Sequence, residues 1–367
     1  MAPSKQIITI ILIVAAFITE VSCLCFPDEA CIPGPVNAAR LVDHTVNATS
    51  TCGDPPAEYC RLKPLNKCFM CNKTTHTVEK MTDSNLGTSW QSVTWWEWYV
   101  NNNFTDEPLK VNVTISFDKS YAITGEIRIT FKSPRPYKMI LEKSMDKGMT
   151  WSPLQYYADD CNDRFSTPST PVESIMDGDF GLHCVEEYSE TTPQENGLVL
   201  FDFLRRYAKT DFWNRTLQEY FTATDLRLQM LYPGTDRLEN VDNKVENIFN
   251  QYFYGISDLR VNARCQCHGH ALFCDYPNFS GKDCDCQHNT EGEDCERCEP
   301  LYNNKTWMPA TSDSEPNPCE GMYLANYTRS HMNIGFYILR YTRAATYLLG
   351  GIIRYGRSSG TNAASSC

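Results

Sequence analysis

The chain has no surplus of positive charge. Its 33 lysines and arginines are outnumbered by 45 aspartates and glutamates, for a net charge of −12. That balance argues against nucleic acid and anionic membrane as main partners. The short motifs that announce chemistry are also missing. There is no G-x-S-x-G, no H-E-x-x-H and no phosphate-binding glycine loop. Serines and histidines are scattered, and Asp159-Asp160 reads more simply as solvated charge beside Cys161 than as an acid–base couple. An enzyme is therefore the weakest class. The N-terminal apolar run, residues 7–18, is too short and badly flanked to span a membrane. With Lys5 before it and Val21-Ser22-Cys23 after it, residues 1–23 read as a secretory signal peptide.

Cysteine is abundant. Eight of the 18 fall in residues 265–319, spaced C-x-C, C, C-x-C, C-x-x-C, C. They are Cys265, Cys267, Cys274, Cys284, Cys286, Cys295, Cys298 and Cys319. The segment has almost no apolar core, so cross-links must hold it together. Spacing alone leaves the pairing open, since eight cysteines allow 105 connectivities. Eight more precede the module: Cys25, Cys31, Cys52, Cys60, Cys68, Cys71, Cys161 and Cys184. Cleavage after Cys23 leaves Cys367 as the odd one. Eight N-x-S/T sequons, at Asn47, Asn72, Asn103, Asn112, Asn214, Asn278, Asn304 and Asn326, fit a glycosylated extracellular surface.

Between residues 110 and 261 the pattern is antiparallel β. Val111, Val113, Ile115 and Phe117 alternate with Asn112, Thr114 and Ser116; Ile127, Ile129 and Phe131, then Leu226, Leu228 and Met230, repeat the period of two. Turn signals at Ser133-Pro134-Arg135-Pro136, Asp146-Lys147-Gly148 and Pro233-Gly234 separate the strands. A helix is expected at 244–254. The expected fold is mainly β: a jelly-roll-type two-sheet sandwich over residues 24–264, then a small disulfide-rich module over 265–319. The cysteine-bounded loops are stapled. They serve either stability alone or a rigid binding surface.

Several stretches carry a family resemblance. They are STCGDPPAEYC (50–60), GTSWQSVT (87–94), MILEKSMDKGMTW (139–151) and YFYGISDLRV (252–261), followed by the cysteine module. Together they resemble the N-terminal laminin domain and laminin EGF-like module of laminins and netrins. The finer pattern at 90–95, 141–144, 156–161 and 184–189 is similar to the netrin-G (laminet) branch. The resemblance implies the pairs Cys25–Cys31, Cys52–Cys71, Cys60–Cys68, Cys161–Cys184, Cys265–Cys274, Cys267–Cys284, Cys286–Cys295 and Cys298–Cys319. It also implies an extracellular adhesion and axon-guidance ligand, with roles in cell migration and neural or tissue development. Its partner would be a leucine-rich-repeat ligand of netrin-G type or an immunoglobulin-type netrin receptor, bound through loops near 60–71, 184–196 and 232–245. Residues 81–88 resemble the family's calcium loop. Met81, Asp83, Thr88 and Ser257 are the implied ligands of a structural Ca²⁺, which takes hard oxygen donors; the plainer alternative is an Asx-type turn.

Other features stay open. Trp90, Trp95, Trp96 and Trp98 read as core and sheet packing, or as a carbohydrate surface with Trp98 and Tyr99 the exposed pair. Arg128, Lys132, Arg135 and Lys138 form either a patch for matrix glycosaminoglycan or a solvated strand face. His268 and His270 could belong to a Cys/His metal site by composition, but the oxidising context makes zinc a poor reading. After Cys319 no second module follows, and residues 320–367 form an atypical tail. Its apolar part, 334–353, contains Arg340 and Arg343, and a central Arg costs about 2.5–3.5 kcal/mol on insertion. The tail reads as an aberrant or alternative C-terminus, a weak anchor or an extracellular extension. Two alternatives to receptor docking remain: a self-associating basement-membrane component of ordinary netrin or laminin type, and a lectin-like glycan binder.

Overall fold

The computed structural model describes residues 25–41, 45–61, 67–207, 211–237, 245–274 and 283–321. The expected signal peptide, Asn278, Asn326 and the tail from residue 322 lie outside the described residues. The strands in chain order are β1 (Val36–Asn37), β2 (Thr45–Ala48), β3 (Ala57–Cys60), β4 (Cys68–Cys71), β5 (Trp90–Gln91), β6 (Val111–Ala122), β7 (Glu126–Phe131), β8 (Lys138–Ser144), β9 (Ser152–Ala158), β10 (Cys184–Val185), β11 (Gly197–Asp202), β12 (Thr222–Tyr232), β13 (Gly255–Cys265), β14 (Thr290–Glu291) and β15 (Arg297–Cys298). Helices are short: α1 (Trp95–Asn101), α2 (Cys161–Phe165), α3 (Phe203–Tyr207), α4 (Arg215–Phe221) and α5 (Glu246–Phe249).

One sheet runs β10-β9-β8-β12-β6-β13-β7-β11, with β2 on β6 and both β1 and β5 on β13. It curls into two layers because β13 changes partner along its length. Ile256 to Val261 pair with β7, whereas Arg264 and Cys265 pair with Ala122 and Tyr121 of β6. Alternation decides which side is buried. Val111, Val113, Ile115 and Phe117 face the core, and Asn112, Thr114 and Ser116 face outward. Val113, Ile115, Leu141, Leu226 and Leu228 of one layer meet Ile127, Ile129, Ile256 and Leu259 of the other around a void of about 20 Å³. Burying each such aliphatic side chain contributes about 1.5–3 kcal/mol.

The expected helix at 244–254 is one turn, α5, and residue 244 lies outside the described residues. The reason is tertiary pairing. The carbonyls of Tyr252 and Tyr254 accept the N–H groups of Trp95 and Ser92, so the chain must extend there. The tryptophan segment differs too. Only Trp90 lies in a strand, while Trp95, Trp96 and Trp98 belong to α1, capped by the Thr94 hydroxyl, which accepts from Glu97 N at 3.2 Å. Helical spacing turns Trp95 and Trp98 toward the core. Trp98 and Tyr99 are half-buried, not an exposed pair; Val100 and Phe104 are the exposed apolar residues there.

The chain divides into two compact units. Among the described residues, the larger holds 25–299 and 307–318. Within it, the buried Lys119 of β6 reaches the cysteine module: its Nζ lies 3.0 Å from Asp294 Oδ1 and donates to the Glu293 carbonyl at 3.0 Å. The smaller unit includes 300–306 and 319–321, where Asn304 N donates to the Glu320 carbonyl at 3.0 Å.

Candidate functional site

The turn between β7 and β8 contains Arg135, which is buried. Its guanidinium donates only to backbone carbonyls: Nε to Glu190 at 3.1 Å, Nη1 to Glu187 and Leu198 at 3.4 Å each, and Nη2 to Thr192 at 2.5 Å. Burial pulls its pKa down, and the charges of Glu190 and Tyr188 oppose that pull. Three carbonyls of one polar loop and one of β11 thus converge on one planar donor, a geometry that a Lys ammonium cannot reproduce. The same loop is tied at its start by Cys161–Cys184 and by Cys161 N donating to Glu186 Oε1 at 2.8 Å. At its end Asn196 N donates to the Phe131 carbonyl at 2.8 Å.

Glu195 couples this loop to the β3–β4 hairpin. Its carboxylate lies 2.9 Å from Arg61 Nη1 and 3.1 Å from Lys132 Nζ. The hairpin is crossed by Cys60–Cys68 and anchored by Cys52–Cys71. Arg61 and Lys67 each stand over the Phe69 ring, at 5.1 and 5.2 Å, and Met70 is exposed. The third segment, 232–237, packs against the same turn. A Cβ on Gly234 would fall 2.3 Å from the Arg135 carbonyl oxygen, so only glycine fits. Tyr137 OH donates to the Thr235 carbonyl at 2.6 Å. Segments 184–196 and 232–237 thus pack on the Pro134-Arg135-Pro136 turn, and the β3–β4 hairpin reaches the first of them through Arg61–Glu195; 62–66 and 238–244 lie outside the described residues.

The basic residues each find a partner. Arg128 pairs with Glu126, Lys132 with Glu195, and Lys138 stands 4.7 Å from the Phe165 ring. Arg135 is buried among carbonyls. Each of the four cations has a partner within the fold, so they do not stand together as one unpaired basic patch. Sequence reasoning missed Arg135 as an organiser; the signal was a cation between two prolines at a strand-to-strand turn.

Of the residues expected to bind calcium, Asp83 and Thr88 meet in a compact oxygen cluster with Asn85, closed as an Asx-type turn. Ser84 adopts a left-handed φ of 66°, and Asp83 Oδ1 accepts from Asn85 N at 2.9 Å. The Thr88 hydroxyl donates to Asp83 Oδ2 at 2.7 Å and lies 2.8 Å from the Asn85 carbonyl. Burial raises the Asp83 pKa, but the Thr88 hydroxyl, Asn85 N–H, Lys80 and Arg40 outweigh it and hold the carboxyl below its usual range. Met81 ends a 3₁₀ turn that packs on β13, the strand carrying Ser257. The donor set is carboxylate, hydroxyl and carbonyl, as a hard cation requires. The Asn85 carbonyl, not named from sequence, also faces this cluster and accepts from Thr88. A second cluster, Glu58, Cys60 and Cys68, cannot hold a metal through sulfur because both cysteines are in a disulfide.

In the remaining cysteines, Cys25 pairs with Cys31, Cys265 with Cys274, Cys267 with Cys284 and Cys286 with Cys295; Cys298 and Cys319 are also disulfide-bonded. Asn47, Asn72, Asn103, Asn214 and Asn304 are exposed and Asn112 is half-buried. Two sequons face each other across β2 and β6: Asn47 lies opposite Thr114, and Asn112 N donates to Thr49 Oγ1 at 2.9 Å. Both asparagines point to the outward face of that layer.

Residues 31–263 match the laminin N-terminal domain (Domain VI) family and 265–319 match the laminin EGF domain family. The chain is 36% identical to human Netrin-G1 over 288 residues, 71% of this chain and 50% of that protein. It is 34% identical to mouse Netrin-G2 over 319 residues, 79% of this chain and 52% of that protein. It is also 34% identical to laminin subunit gamma-1 of Xenopus tropicalis over 304 residues, 79% of this chain and 18% of that protein. The chain thus spans about half the length of its netrin-G relatives and under a fifth of the laminin subunit. Among the described residues no helix is long and apolar enough to cross a membrane. The chain belongs to the laminin N-terminal domain family, with a laminin EGF domain following it.

Proposed function

We propose that this protein is an adhesion and guidance ligand that docks a receptor on another cell through the loop end around Arg135. The observation that carries this reading is the linkage of three loops at one end of the domain: Arg135 holds the 184–196 loop, Gly234 and Thr235 pack on the same turn, and Glu195 ties that loop to Arg61 of the hairpin. Loops ordered before encounter lose less entropy on binding. Likeness to Netrin-G1 and Netrin-G2 favours a leucine-rich-repeat partner over an immunoglobulin-type netrin receptor. Roles in cell migration and neural or tissue development follow from that class of partner.

The test is a cell-surface binding screen with the full secreted chain against leucine-rich-repeat and immunoglobulin-type ectodomains. Binding to the first set, lost when 184–196 is exchanged for another family member's loop, supports the reading. Binding only to the second set moves the chain to the ordinary netrins. Likeness to laminin gamma-1 favours a second reading, self-association in calcium, which sedimentation of the chain alone would reveal as calcium-dependent oligomers when both receptor sets are silent. The lectin reading is weakened by Trp98, which packs against the core.

We also propose that Asp83, Thr88 and the carbonyls of Met81, Asn85 and Ser257 hold a structural Ca²⁺. Bound there, the ion would tie the 81–88 loop to β13 and take no part in chemistry.

A further inference from the structure

His270 and His288 are buried in the cysteine module, and their Nδ1 atoms face each other at 3.2 Å. The outer nitrogens face carbonyl oxygens: His270 Nε2 lies 3.1 Å from Met308 O, and His288 Nε2 lies 3.1 Å from Phe26 O. A carbonyl only accepts, so both Nε2 atoms must carry a proton. Two neutral rings have two protons in all, and both are then used. The Nδ1 atoms would meet lone pair to lone pair. Moving one proton to Nδ1 repairs that contact but sets a bare Nε2 against a carbonyl. Three protons on the four nitrogens satisfy all three contacts.

We propose that His270 and His288 form one proton-binding site, with a proton shared between the two Nδ1 atoms and both Nε2–H groups donating to carbonyls. The pair carries one positive charge as a unit. A second proton would set two charges side by side. Burial first, with the neighbouring His288 and His268 adding to it and the Met308 carbonyl opposing, pushes the His270 imidazole taken singly down to about 4; the shared Nδ1–H···Nδ1 bond must outweigh that penalty for the pair to hold its proton at pH 7, which is what the test reads. The other charged groups come from each element around the pair. His268 sits on the same loop, and Asp294, Glu296 and Lys119 act on it. The N-terminal segment carries Asp28 and Glu29, and the 307–318 segment carries Asp313 and Glu315.

The shared proton has a structural task. It fastens two separate segments to the module. Residues 25–31 are held through Phe26 O and through Cys31 N, which donates to Gly269 O at 2.9 Å. Residues 307–310 are held through Met308 O and through Ala310 N, which donates to His268 O at 2.9 Å.

The test is a long-range ¹H–¹⁵N spectrum of the full secreted chain with ¹⁵N-labelled histidine at pH 7. His270→Gln and His288→Gln assist assignment, but the wild-type spectrum alone identifies the pair. The expected result is a nitrogen–nitrogen coupling across the hydrogen bond between the two Nδ1 atoms, with protons on both Nε2 atoms. No coupling overturns the proposal. Coupling with one bare Nε2 also overturns it, because the pair is then neutral.

Discussion

Glu195 and Arg61 form an ion pair at 2.9 Å that links two loops lying far apart in sequence, and the same carboxylate takes Lys132 at 3.1 Å. All three side chains are partly exposed, so their worth in stability is small, under about 1 kcal/mol per pair. Their worth in spacing is larger. Glu195→Gln is expected to shift Tm by no more than a few degrees while weakening receptor binding several-fold. Charge exchange in Arg61→Glu with Glu195→Arg should recover part of the loss. Calorimetry and a binding titration on the same preparations check both halves.

Arg135 is a different case. Arg135→Met removes a buried donor from four carbonyls, a change of about 3–5 kcal/mol. For a domain of this size that lowers Tm by roughly 10 °C. Hydrogen exchange should rise first in 186–198. Arg135→Lys is expected to behave like Met, because an ammonium cannot span the four acceptors.

His76 predicts a pH effect beside the β3–β4 hairpin. Its Nδ1 lies 3.0 Å from the Ser89 carbonyl and so donates; its Nε2 then accepts from Tyr59 OH at 3.3 Å. Burial lowers its pKa, helped by Arg61 and opposed by the Ser89 carbonyl. The folded state therefore prefers the neutral ring. That contribution is fully present above the ordinary histidine pKa of about 6.5 and is lost as pH falls below it. Hydrogen exchange in 57–61 and 67–71 should rise between pH 6.5 and 5 in the wild type. In His76→Asn the rise should be absent.

Calcium removal tests the oxygen cluster at Asp83. Chelation should lower the wild-type Tm, and added Ca²⁺ should restore it. Asp83→Asn should abolish the response while leaving the metal-free Tm within about a degree or two. Equal responses in both proteins would remove calcium from this loop.

The paired sequons predict where a partner does not sit. Asn47→Gln with Asn112→Gln should remove two glycan masses from the secreted chain and leave receptor binding within about twofold. The face they occupy is the outward side of β2 and β6, built of polar residues.

Much of the fold was legible because the long strands alternate. Val111 to Phe117 and Leu226 to Met230 announce half-buried strands whatever their partners are. What local pattern cannot encode is the change of partner along β13, since a strand's period says nothing about which neighbour it pairs with. The one-turn α5 shows the same limit: backbone pairing of Tyr252 and Tyr254 with 92–95 overrides helix-like spacing. Trp98 follows the core-packing reading and not the exposed-pair one, because α1, capped by Thr94, turns it toward the core. The cysteine pairing came from family resemblance and not from spacing. Arg135 and Glu195 were invisible as loop organisers, because a buried cation bonded to carbonyls leaves no periodic signature.

Docking through the loops around Arg135 leaves a footprint on the backbone. Its most direct test is the hydrogen-exchange footprint of the receptor recovered in the binding screen, mapped on this chain in the bound and free states. The account predicts protection in 67–71, 184–196 and 232–237, with the β2–β6 outer face unchanged. Protection confined to that outer face, with the three loops exchanging as in the free chain, would contradict it.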